Sequence, residues 1–549
     1  MNQGTSRSLS NPVQLACVPL LILLHAYPFL VGGSAISIWS AIALTLITLE
    51  HGTWLRRLPV ISAWSITAIA IAFHWSPAAM AYTLASDYWL GLLTAAPLII
   101  WDGMRLALGY WIGSRLTRDS QVLWLTTACT SVILELLMPG VFPWKLGYAQ
   151  LDIPWTIQAV DLFGPSWSTV FAFAVGGVIA RIVSMGLHLA WEHSASNTDG
   201  ISSVTTPEAY NSNVSRRSSH WRWTAAIVVL MSCVYSFFSY RSWQAAADEA
   251  PHIQAALIQV DPSFVGSTQQ AQSLTRSLSP EVDLVCWPES SGGNYAFDLT
   301  DLSDDQRVFA LSREPERGLR PWPKPFCDLL VGGKCYEGDP ENPARLFVTA
   351  MLINTNERIV GRYHKRFLMP FGEYVPGENT VPGLAALFDM AEHVEPGAAS
   401  EPIVTSSGVR VGAALCYEDM VPSASRSVVR NGAQLLISLI NGSAFENPLT
   451  LIQHRMLAQQ RAIECRRTML RCAATGETCM IDPCGEIVSS LPLQHSGSME
   501  VSAAILDRSP PGLSWNWLLP AGCIGIMGSF LCFGPGKALT ANAEVPHDN

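Results

Sequence analysis

A cysteine stands where an apolar stretch of the chain ends. Residues 411–415 read Val-Gly-Ala-Ala-Leu, which is typical of a β-strand, and they are followed at once by Cys416, Tyr417, Glu418 and Asp419. An α/β fold presents reactive side chains at the ends of its strands, because the backbone turns away there. The thiolate of cysteine is the most nucleophilic side chain near neutral pH. Cys416 is therefore a candidate nucleophile, and the alternative is a buried structural cysteine.

A second strand-like stretch ends in an acid. Residues 282–287 read Val-Asp-Leu-Val-Cys-Trp, and the rigid Pro288 then precedes Glu289. A carboxylate at a strand end can act as a general base when partial burial raises its pKa toward neutrality. The alternative is an acid in a solvated turn. Glu289 is thus the candidate base for a thiol such as that of Cys416.

A third stretch combines basic, aromatic and acidic residues. Lys365 lies between a histidine and an arginine, and Glu373 follows within the run Phe-Gly-Glu-Tyr-Val-Pro at 371–376. A lysine near a cysteine lowers the pKa of the thiol and neutralises the oxyanion that forms in acyl transfer. Taken alone, such a basic trio is also typical of a solvated face. Lys365 is the candidate cation of the site.

The composition indicates a membrane protein with a sizeable soluble part. Of the 549 residues, 49% are hydrophobic and 14% are charged, whereas about 25% of the residues in a typical soluble domain are charged. The net charge of −10 argues against a nucleic-acid partner, because phosphate binding needs clustered Lys and Arg. The cysteines also lack the spacing of a zinc site, since Cys479 and Cys484 have no second pair at finger distance.

Apolar blocks near the length of a bilayer crossing recur along the chain. Eight spans are predicted, at 12–31, 34–50, 58–75, 88–112, 121–139, 166–190, 222–240 and 513–534. The first block is expected to be retained rather than cleaved as a signal peptide. Asp102 and Arg105 lie three apart in the fourth block and are expected to pair on one helix face.

The basic residues of the loops predict the orientation of these spans. Alternate loops are rich in arginine, and the remaining loops carry almost no basic residue apart from Lys145. The arginines that define the cytoplasmic side are Arg7, Arg56, Arg57, Arg115, Arg118, Arg216, Arg217 and Arg222. The predicted organisation is a seven-span bundle over 1–240 with a cytoplasmic linker at 194–219, an outer domain over 241–511, a last span over 512–534 and a cytoplasmic tail over 535–549.

The outer region is predicted to be one α/β domain, because strand-like runs alternate with turn signals and a helical pattern. The predicted helix covers 449–466. The predicted strands cover 253–260, 282–287, 328–332, 347–353, 409–415, 434–439 and 468–473. Disulfides are permitted outside the cytoplasm, but the sequence leaves their connectivity open. The candidate pairs are Cys327 with Cys335, or pairs among Cys465, Cys472, Cys479 and Cys484.

In the order Glu289, Lys365, Cys416, the three stretches resemble the nitrilase, or carbon–nitrogen hydrolase, superfamily. The resemblance implies that a four-layer αββα sandwich carries a Glu–Lys–Cys triad. It further implies that Glu289 is the general base, that Cys416 is the nucleophile and that Lys365 supports the tetrahedral intermediate.

The chain is also similar to the apolipoprotein N-acyltransferase family over nearly its whole length. The likeness is carried by the run at 371–376, by Cys-Tyr-Glu after the strand, by the flanking spans and by the segment from Glu135 to Gln150. It implies supporting or substrate-binding roles for Glu373, Tyr417 and Glu418. The loops at 261–268 and 441–447 depart from the family's pattern and are assigned no role.

The implied reaction moves a fatty acyl chain in two stages and needs no cofactor. Cys416 takes the chain from the sn-1 ester of a phospholipid, expected to be phosphatidylethanolamine, and the α-amine of a diacylglyceryl-cysteine in an apolipoprotein then takes it from the thioester. The expected setting is a monomer in the bacterial inner membrane, with the catalytic domain on the periplasmic side. The alternatives are a membrane-tethered amidase of small amides, and a scaffold or transporter without catalysis. The tethering and the family motifs argue against the amidase, and the intact triad argues against the scaffold.

Overall fold

The computed structural model describes most of the chain. The described residues are 11–84, 86–117, 119–198, 223–260, 267–289, 291, 296–297, 325–339, 342–378, 380, 394–443, 445 and 447–533. Most of the predicted linker and of the loop at 261–268, together with the predicted tail, lie outside them. Two units are present: unit 1 draws on Met1–His74, Pro97–Phe237 and Ser514–Asn549, and unit 2 on Trp75–Ala96 and Phe238–Leu513.

Helices occupy the positions of the predicted spans. In chain order they are α1 (Asn11–Val31), α2 (Ala35–His51), α3 (Leu58–Ala72), α4 (Ser76–Thr83), α5 (Tyr88–Leu116), α6 (Ser120–Leu137), the short α7 (Val160–Phe163), α8 (Trp167–Thr198) and α9 (Thr224–Glu249). Five of the described helices, α1, α5, α6, α8 and α9, are long and apolar enough to cross a membrane, and the bent pair of α3 and α4 raises the number to six. The apolar α2 is shorter, as is the helix over the last predicted span.

Two pairs of oppositely charged side chains lie inside unit 1. Arg105 Nη2 lies 3.1 Å from Asp102 Oδ1, which confirms the predicted pair. Glu135 on α6 accepts hydrogen bonds from Lys145 Nζ at 2.9 Å, and from two hydroxyl groups, those of Ser166 at 2.9 Å and Thr169 at 2.7 Å. A buried charge is tolerated when it is paired and hydrogen-bonded in this way.

Unit 2 contains two β-sheets. The first sheet has seven strands, in the order β13-β1-β2-β4-β5-β6 with β3 paired to β4, and the second has six, in the order β12-β11-β10-β9-β8-β7. The strands of the first sheet are β1 (His252–Gln259), β2 (Leu284–Trp287), β3 (Ala296–Phe297), β4 (Asp328–Asp339), β5 (Asn342–Ile353), β6 (Ile359–His364) and β13 (Gly497–Ala504). Those of the second are β7 (Ile403–Val404), β8 (Arg410–Leu415), β9 (Leu435–Asn441), β10 (Met469–Ala474), β11 (Cys479–Ile481) and β12 (Ile487–Ser490).

The sheets are layered because alternate residues of their strands point to opposite faces. Leu257 and Leu330 of the first sheet and Leu415 and Ile437 of the second share one apolar core between the sheets. The helix α10 (Ser267–Arg276) packs on the outer face of the first sheet. The helices α11 (Pro422–Arg430) and α12 (Pro448–Cys465) cover the outer face of the second. The predicted four-layer αββα sandwich is confirmed. The last helix, α13 (Leu518–Phe533), belongs to unit 1.

All seven predicted strands and the predicted helix are present. The strand β6 was missed, because its residues alternate between half-buried and exposed and lack a continuous apolar run. The strands β3, β7, β11, β12 and β13 were missed for a similar reason, since short or exposed strands give a weak apolar signal. The omission of β6 matters because it ends immediately before Lys365.

The segment Trp75–Ala96 packs with unit 2, although its hydropathy assigns it to the bundle. The indole N–H of Trp75 donates to Gln453 Oε1 on α12 at 3.0 Å. The ring of Trp75 also meets that of Phe445 edge-on, with centroids 5.9 Å apart. Hydropathy reports that a segment is apolar, and tertiary contacts decide which unit it joins.

Candidate active site

Three strand ends bring the predicted triad together. Glu289 follows β2 after one intervening residue, Lys365 directly follows β6 and Cys416 directly follows β8. The first two strands belong to one sheet and the third to the other. Val260 and Ala474 form a parallel bridge, so the carboxyl ends of β1 and β10 adjoin and the two sheets share this edge. Parallel strands that end at one edge present their following residues to a common site.

Lys365 lies between two carboxylates. Its Nζ is 2.6 Å from Glu373 Oε1 and 3.4 Å from Glu289 Oε1, and the exposed fraction of its side chain is 1%. Burial lowers the pKa of Lys365, but the charges of Glu289 and Glu373 outweigh burial and raise that pKa well above its usual value. The lysine is therefore a fixed positive charge at the centre of the site.

Glu289 is poised to exchange a proton near neutral pH. Burial raises its pKa to about 7, since the charge of Lys365 only partly offsets the loss of water and the charge of Glu373 adds to the rise. The nearby thiol of Cys416 lowers this pKa slightly. A general base works best when its pKa lies near the working pH. The geometry and the pKa both suit Glu289 to take the thiol's proton.

A glycine on the neighbouring strand makes room for Glu289. A Cβ atom at Gly332 of β4 would lie 2.6 Å from the Cα of Glu289. Real Cβ contacts are longer than this, so a larger residue at 332 would displace the backbone that carries the base. Gly332 is a residue of the site that no local sequence pattern indicates.

Cys416 begins a tight turn in a strained conformation. Its φ angle is +47°, which places a residue other than glycine in the left-handed region, and it opens the 3₁₀ turn Cys416–Met420. Its Sγ lies 3.6 Å from the carbonyl oxygen of Asn441 at the end of β9. Burial, and then the charge of Glu289, raise the pKa of the thiol, although Lys365 opposes them. The resting thiol is neutral and needs a base before it can attack.

Glu373 is aimed at Lys365 by a folded loop. Its Oε2 accepts a hydrogen bond from the backbone N–H of Met369 at 2.7 Å. The backbone N–H of Phe371 donates to the carbonyl of Tyr374, and Phe371 has a φ of +68°. The loop therefore closes on itself and directs the carboxylate inward. Its position favours a role in holding Lys365.

Glu418 connects the nucleophile turn to the segment that carries Lys365. One carboxylate oxygen accepts hydrogen bonds from the hydroxyl of Tyr363 at 2.8 Å and from the backbone N–H groups of Arg366 at 2.7 Å and Phe367 at 3.1 Å. The other accepts from the backbone N–H of Leu415 at 2.9 Å. The side chain is buried, and burial raises its pKa. These contacts favour the supporting role over the substrate-binding one.

Tyr417 is partly buried next to Cys416. Burial raises its pKa to about 12, with a smaller contribution from nearby Tyr374. The phenol is therefore neutral near pH 7 and keeps its proton for hydrogen bonding.

The described parts of the chain contain neither a disulfide nor a cluster of metal-binding side chains. All thirteen cysteines lie in those parts and all are free thiols, so the disulfide pairs considered from the sequence are not formed. Among the residues that the structure describes, no group of three or more His, Cys, Asp or Glu side chains is arranged to hold a metal ion.

The carbon–nitrogen hydrolase family matches residues 254–509 of the chain. An apolipoprotein N-acyltransferase of Pseudomonas aeruginosa is 25% identical over 442 residues, covering 77% of this chain and 76% of its own length. One from Azotobacter vinelandii is 26% identical over 475 residues, covering 81% of each chain. The chain is thus similar to carbon–nitrogen hydrolases over residues 254–509 and to apolipoprotein N-acyltransferases over most of its length.

Two solved structures are similar to about half of this chain. Saccharomyces cerevisiae Nit3, a member of branch 10 of the nitrilase superfamily, is 18% identical and covers 46% of this chain and 90% of its own, with a TM-score of 0.33. The C. elegans NitFhit protein is 20% identical and covers 50% of this chain and 65% of its own, with a TM-score of 0.34. The apolar helices are those of a multi-pass membrane protein.

Proposed function

We propose that this protein transfers a fatty acyl chain from a membrane phospholipid to the N-terminal α-amine of diacylglyceryl-cysteine in apolipoproteins. The supporting observation is the buried thiol of Cys416, placed near a carboxylate whose pKa is about 7 and near a charged lysine. A thiol with a base and a cation at hand can accept an acyl group and pass it on.

The first stage forms a thioester. As Sγ of Cys416 attacks the carbonyl carbon of the phospholipid ester, Glu289 takes the thiol's proton. The ammonium of Lys365 stabilises the negative oxygen of the tetrahedral intermediate. The bond from the acyl carbon to the glycerol oxygen then breaks, Glu289 returns the proton to that oxygen and a lysophospholipid leaves.

The second stage moves the acyl chain to an amine. The α-amine of the diacylglyceryl-cysteine attacks the thioester carbon and loses a proton to Glu289. The carbon–sulfur bond breaks, Cys416 recovers the proton and an amide is formed. Exclusion of water by lipid favours this transfer over hydrolysis of the thioester.

Two carboxylates share one lysine, and this arrangement lets the charge of Lys365 reach the oxyanion at the step in which the oxyanion forms. When Glu289 takes a proton it becomes neutral, and its attraction for the ammonium of Lys365 is lost. Glu373, 2.6 Å from Lys365 Nζ, still holds the lysine in place. The positive charge of Lys365 then becomes available to the oxyanion in the same step that creates it.

The proposed setting is the periplasmic side of the bacterial inner membrane, with the protein acting as a monomer. It is supported by the arginine-rich loops, which the positive-inside rule assigns to the cytoplasm. Both proposed substrates, phosphatidylethanolamine and a diacylated apolipoprotein, are lipids of the outer leaflet. A tethered domain searches a surface for such substrates rather than a volume.

The test traps the thioester. The detergent-solubilised full chain is incubated with phosphatidylethanolamine labelled in its sn-1 acyl chain, and an acyl group that hydroxylamine releases is expected on Cys416 by mass spectrometry. Addition of a diacylglyceryl peptide should then move the label to the peptide's amine. Label that never reaches the protein, or that reaches it but moves only to water, would contradict the proposal. Rapid hydrolysis of a small amide without lipid would support the amidase instead.

A further inference from the structure

Four buried polar side chains meet directly beneath the nucleophile turn. Asp419 Oδ1 lies 2.5 Å from His454 Nε2. Its other oxygen, Oδ2, lies 3.0 Å from Arg471 Nε and 2.9 Å from Ser438 Oγ. The relative exposed area of each of the four residues is 3% or less. This group, Asp419, His454, Arg471 and Ser438, is called the elbow cluster below.

The elbow cluster joins four separate elements. Asp419 lies in the turn that begins at Cys416, Ser438 on β9, His454 on α12 and Arg471 on β10. Ser438 is the register partner of Ala414 on β8 and of Arg471 on β10. The turn therefore folds back so that the Asp419 carboxylate contacts β9, the strand next to β8, then β10 beyond it, and the helix that covers them.

The carboxylate of Asp419 stays ionised at working pH. Burial raises its pKa, but His454 and Arg471 outweigh burial and hold that pKa at about 2. Arg471 is also near Glu477 and Cys479, and Glu477 pairs with Arg455 at 2.8 Å. Loss of one buried partner leaves the others uncompensated, which is far more costly than loss of an exposed pair.

The backbone of Cys416 needs such support. A residue other than glycine in the left-handed region persists only when its surroundings determine it firmly. The turn is held on one side by Glu418, which binds the segment after β6. The elbow cluster holds its other side. Without that second hold, the turn can relax toward an ordinary φ value and move the sulfur away from Glu289.

We propose that Asp419, anchored by His454, Arg471 and Ser438, is a positioning residue that keeps the Cys416 thiol facing Glu289 and Lys365. Asp419 does not touch the reacting atoms and acts through the conformation of the turn. The inference rests on the proposed function, since it concerns the rate at which Cys416 is acylated.

The variant Asp419→Asn tests this inference in the full-length protein. It keeps the size of the side chain and removes its charge. The rate constant for acylation of Cys416 by labelled phosphatidylethanolamine is expected to fall at least about tenfold, and the lipid concentration for half-maximal rate is expected to stay within about twofold, because the turn and not the lipid site is altered. Alkylation of Cys416 by iodoacetamide, which needs no lipid, is expected to change its pH profile as well.

The matched control is Asp482→Asn. Asp482 is a half-buried acid in a turn of unit 2, and it accepts hydrogen bonds from the backbone N–H groups of Cys484 and Glu486, each at 2.8 Å. Its replacement is expected to lower thermal stability without slowing acylation by more than about twofold. If Asp419→Asn fails to fold, Ser438→Ala removes one hydrogen bond of the elbow cluster and is expected to slow acylation about threefold.

The outcomes separate the two proposals. A wild-type protein that forms no thioester contradicts the proposed function. A wild-type protein that forms one, with Asp419→Asn acylated at the wild-type rate or impaired only in the lipid concentration it needs, overturns the positioning role alone. Equal slowing by Asp419→Asn and Asp482→Asn would also overturn it, because a general loss of stability would then explain both.

Discussion

Among the described residues, two largely buried lysine–carboxylate clusters differ in how many donors each carboxylate receives. In unit 1, the carboxylate of Glu135 accepts hydrogen bonds from Lys145 and from the hydroxyls of Ser166 and Thr169. In unit 2, Lys365 is shared by two carboxylates, and the one it holds less closely, Glu289, also faces a thiol.

The comparison shows what turns an ion pair into a reactive site. The carboxylate of Glu135 accepts three hydrogen bonds, which engage both of its oxygens. A carboxylate that shares a lysine with a second acid is poorly stabilised, so burial raises its pKa to about 7. The reactive cluster is the one with too few donors, and the structural cluster is the one with enough.

The largest effect is expected from removal of the thiol. Cys416→Ser should reduce acyl transfer at least about 10⁴-fold, because the hydroxyl group is a far weaker nucleophile at the same position. The check is thioester trapping with labelled phospholipid, with thermal unfolding measured alongside. Cys465→Ala, at another buried cysteine of unit 2, serves as the control and should keep full activity. Transfer by Cys416→Ser at the wild-type rate would mean that Cys416 is not the nucleophile, and the cluster around Lys365 could then not be called the reactive one.

A large effect is also expected from neutralising the base. Glu289→Gln should slow thioester formation about 10³-fold, because the thiol loses its proton acceptor. In the wild type, the rate should rise with pH up to about 7 and then level off, as Glu289 ionises. A wild-type rate that stays flat across this range would assign the base to another group.

Glu289→Gln also has a signature in stability. The pKa of Glu289 in the folded state, about 7, lies above its ordinary value of 4.5. The folded state therefore holds the extra proton, and the stability this provides is lost as pH rises through 7. Glutamine does not titrate, so the melting temperature of the variant relative to wild type should increase between about pH 5 and about pH 8.

A smaller effect is expected when the base is displaced rather than removed. In Gly332→Ala, the new Cβ would lie 2.6 Å from the Cα of Glu289, so the carboxylate must shift relative to the thiol. Thioester formation should slow by about tenfold to a hundredfold, as a misplacement near 1 Å typically costs. Gly497→Ala on β13 is the matched control, since its Cβ would meet Leu491 no closer than 3.8 Å. Equal rates in the two variants would mean that Glu289 tolerates the shift.

The smallest effect on catalysis is expected in the other cluster. Glu135→Gln should leave thioester formation within about twofold of wild type while destabilising the protein by about 1–3 kcal/mol, because Lys145 loses its charged partner. Thermal unfolding of the solubilised protein, measured together with the acylation rate, checks both. A tenfold loss of rate at unchanged stability would show that Glu135 belongs to the reactive chemistry, and the contrast between the clusters would fail.

The sequence was informative where chemistry and hydropathy leave local marks. Cys416 and Glu289 each follow a run of apolar residues, so both the strand and the residue at its end were predicted, and the structure places them in contact. Lys365 was singled out by its neighbours and its family resemblance, since β6 carries no continuous apolar run. The helical spans were located by the same measure of hydropathy.

Other features of the site depend on contacts between distant parts of the chain. Asp419 was read as part of the nucleophile stretch, but its partners Ser438, His454 and Arg471 come from three later elements. The closeness of Gly332 to Glu289 exists only because β2 and β4 are neighbours in the sheet. Trp75 joins unit 2 through a contact with Gln453, 378 positions away. Local sequence patterns do not predict contacts between residues that are far apart in the chain.

The neutral, buried sulfur of Cys416 has a consequence for its resistance to oxidation. Peroxides and disulfides react with the thiolate form of a cysteine. The fraction of thiolate falls when the pKa of the thiol is raised. With its proton retained and its surface 93% covered, as its relative exposure of 7% implies, the nucleophile is guarded from oxidation between turnovers. An enzyme built this way would need no dedicated reductant to keep its sulfur ready.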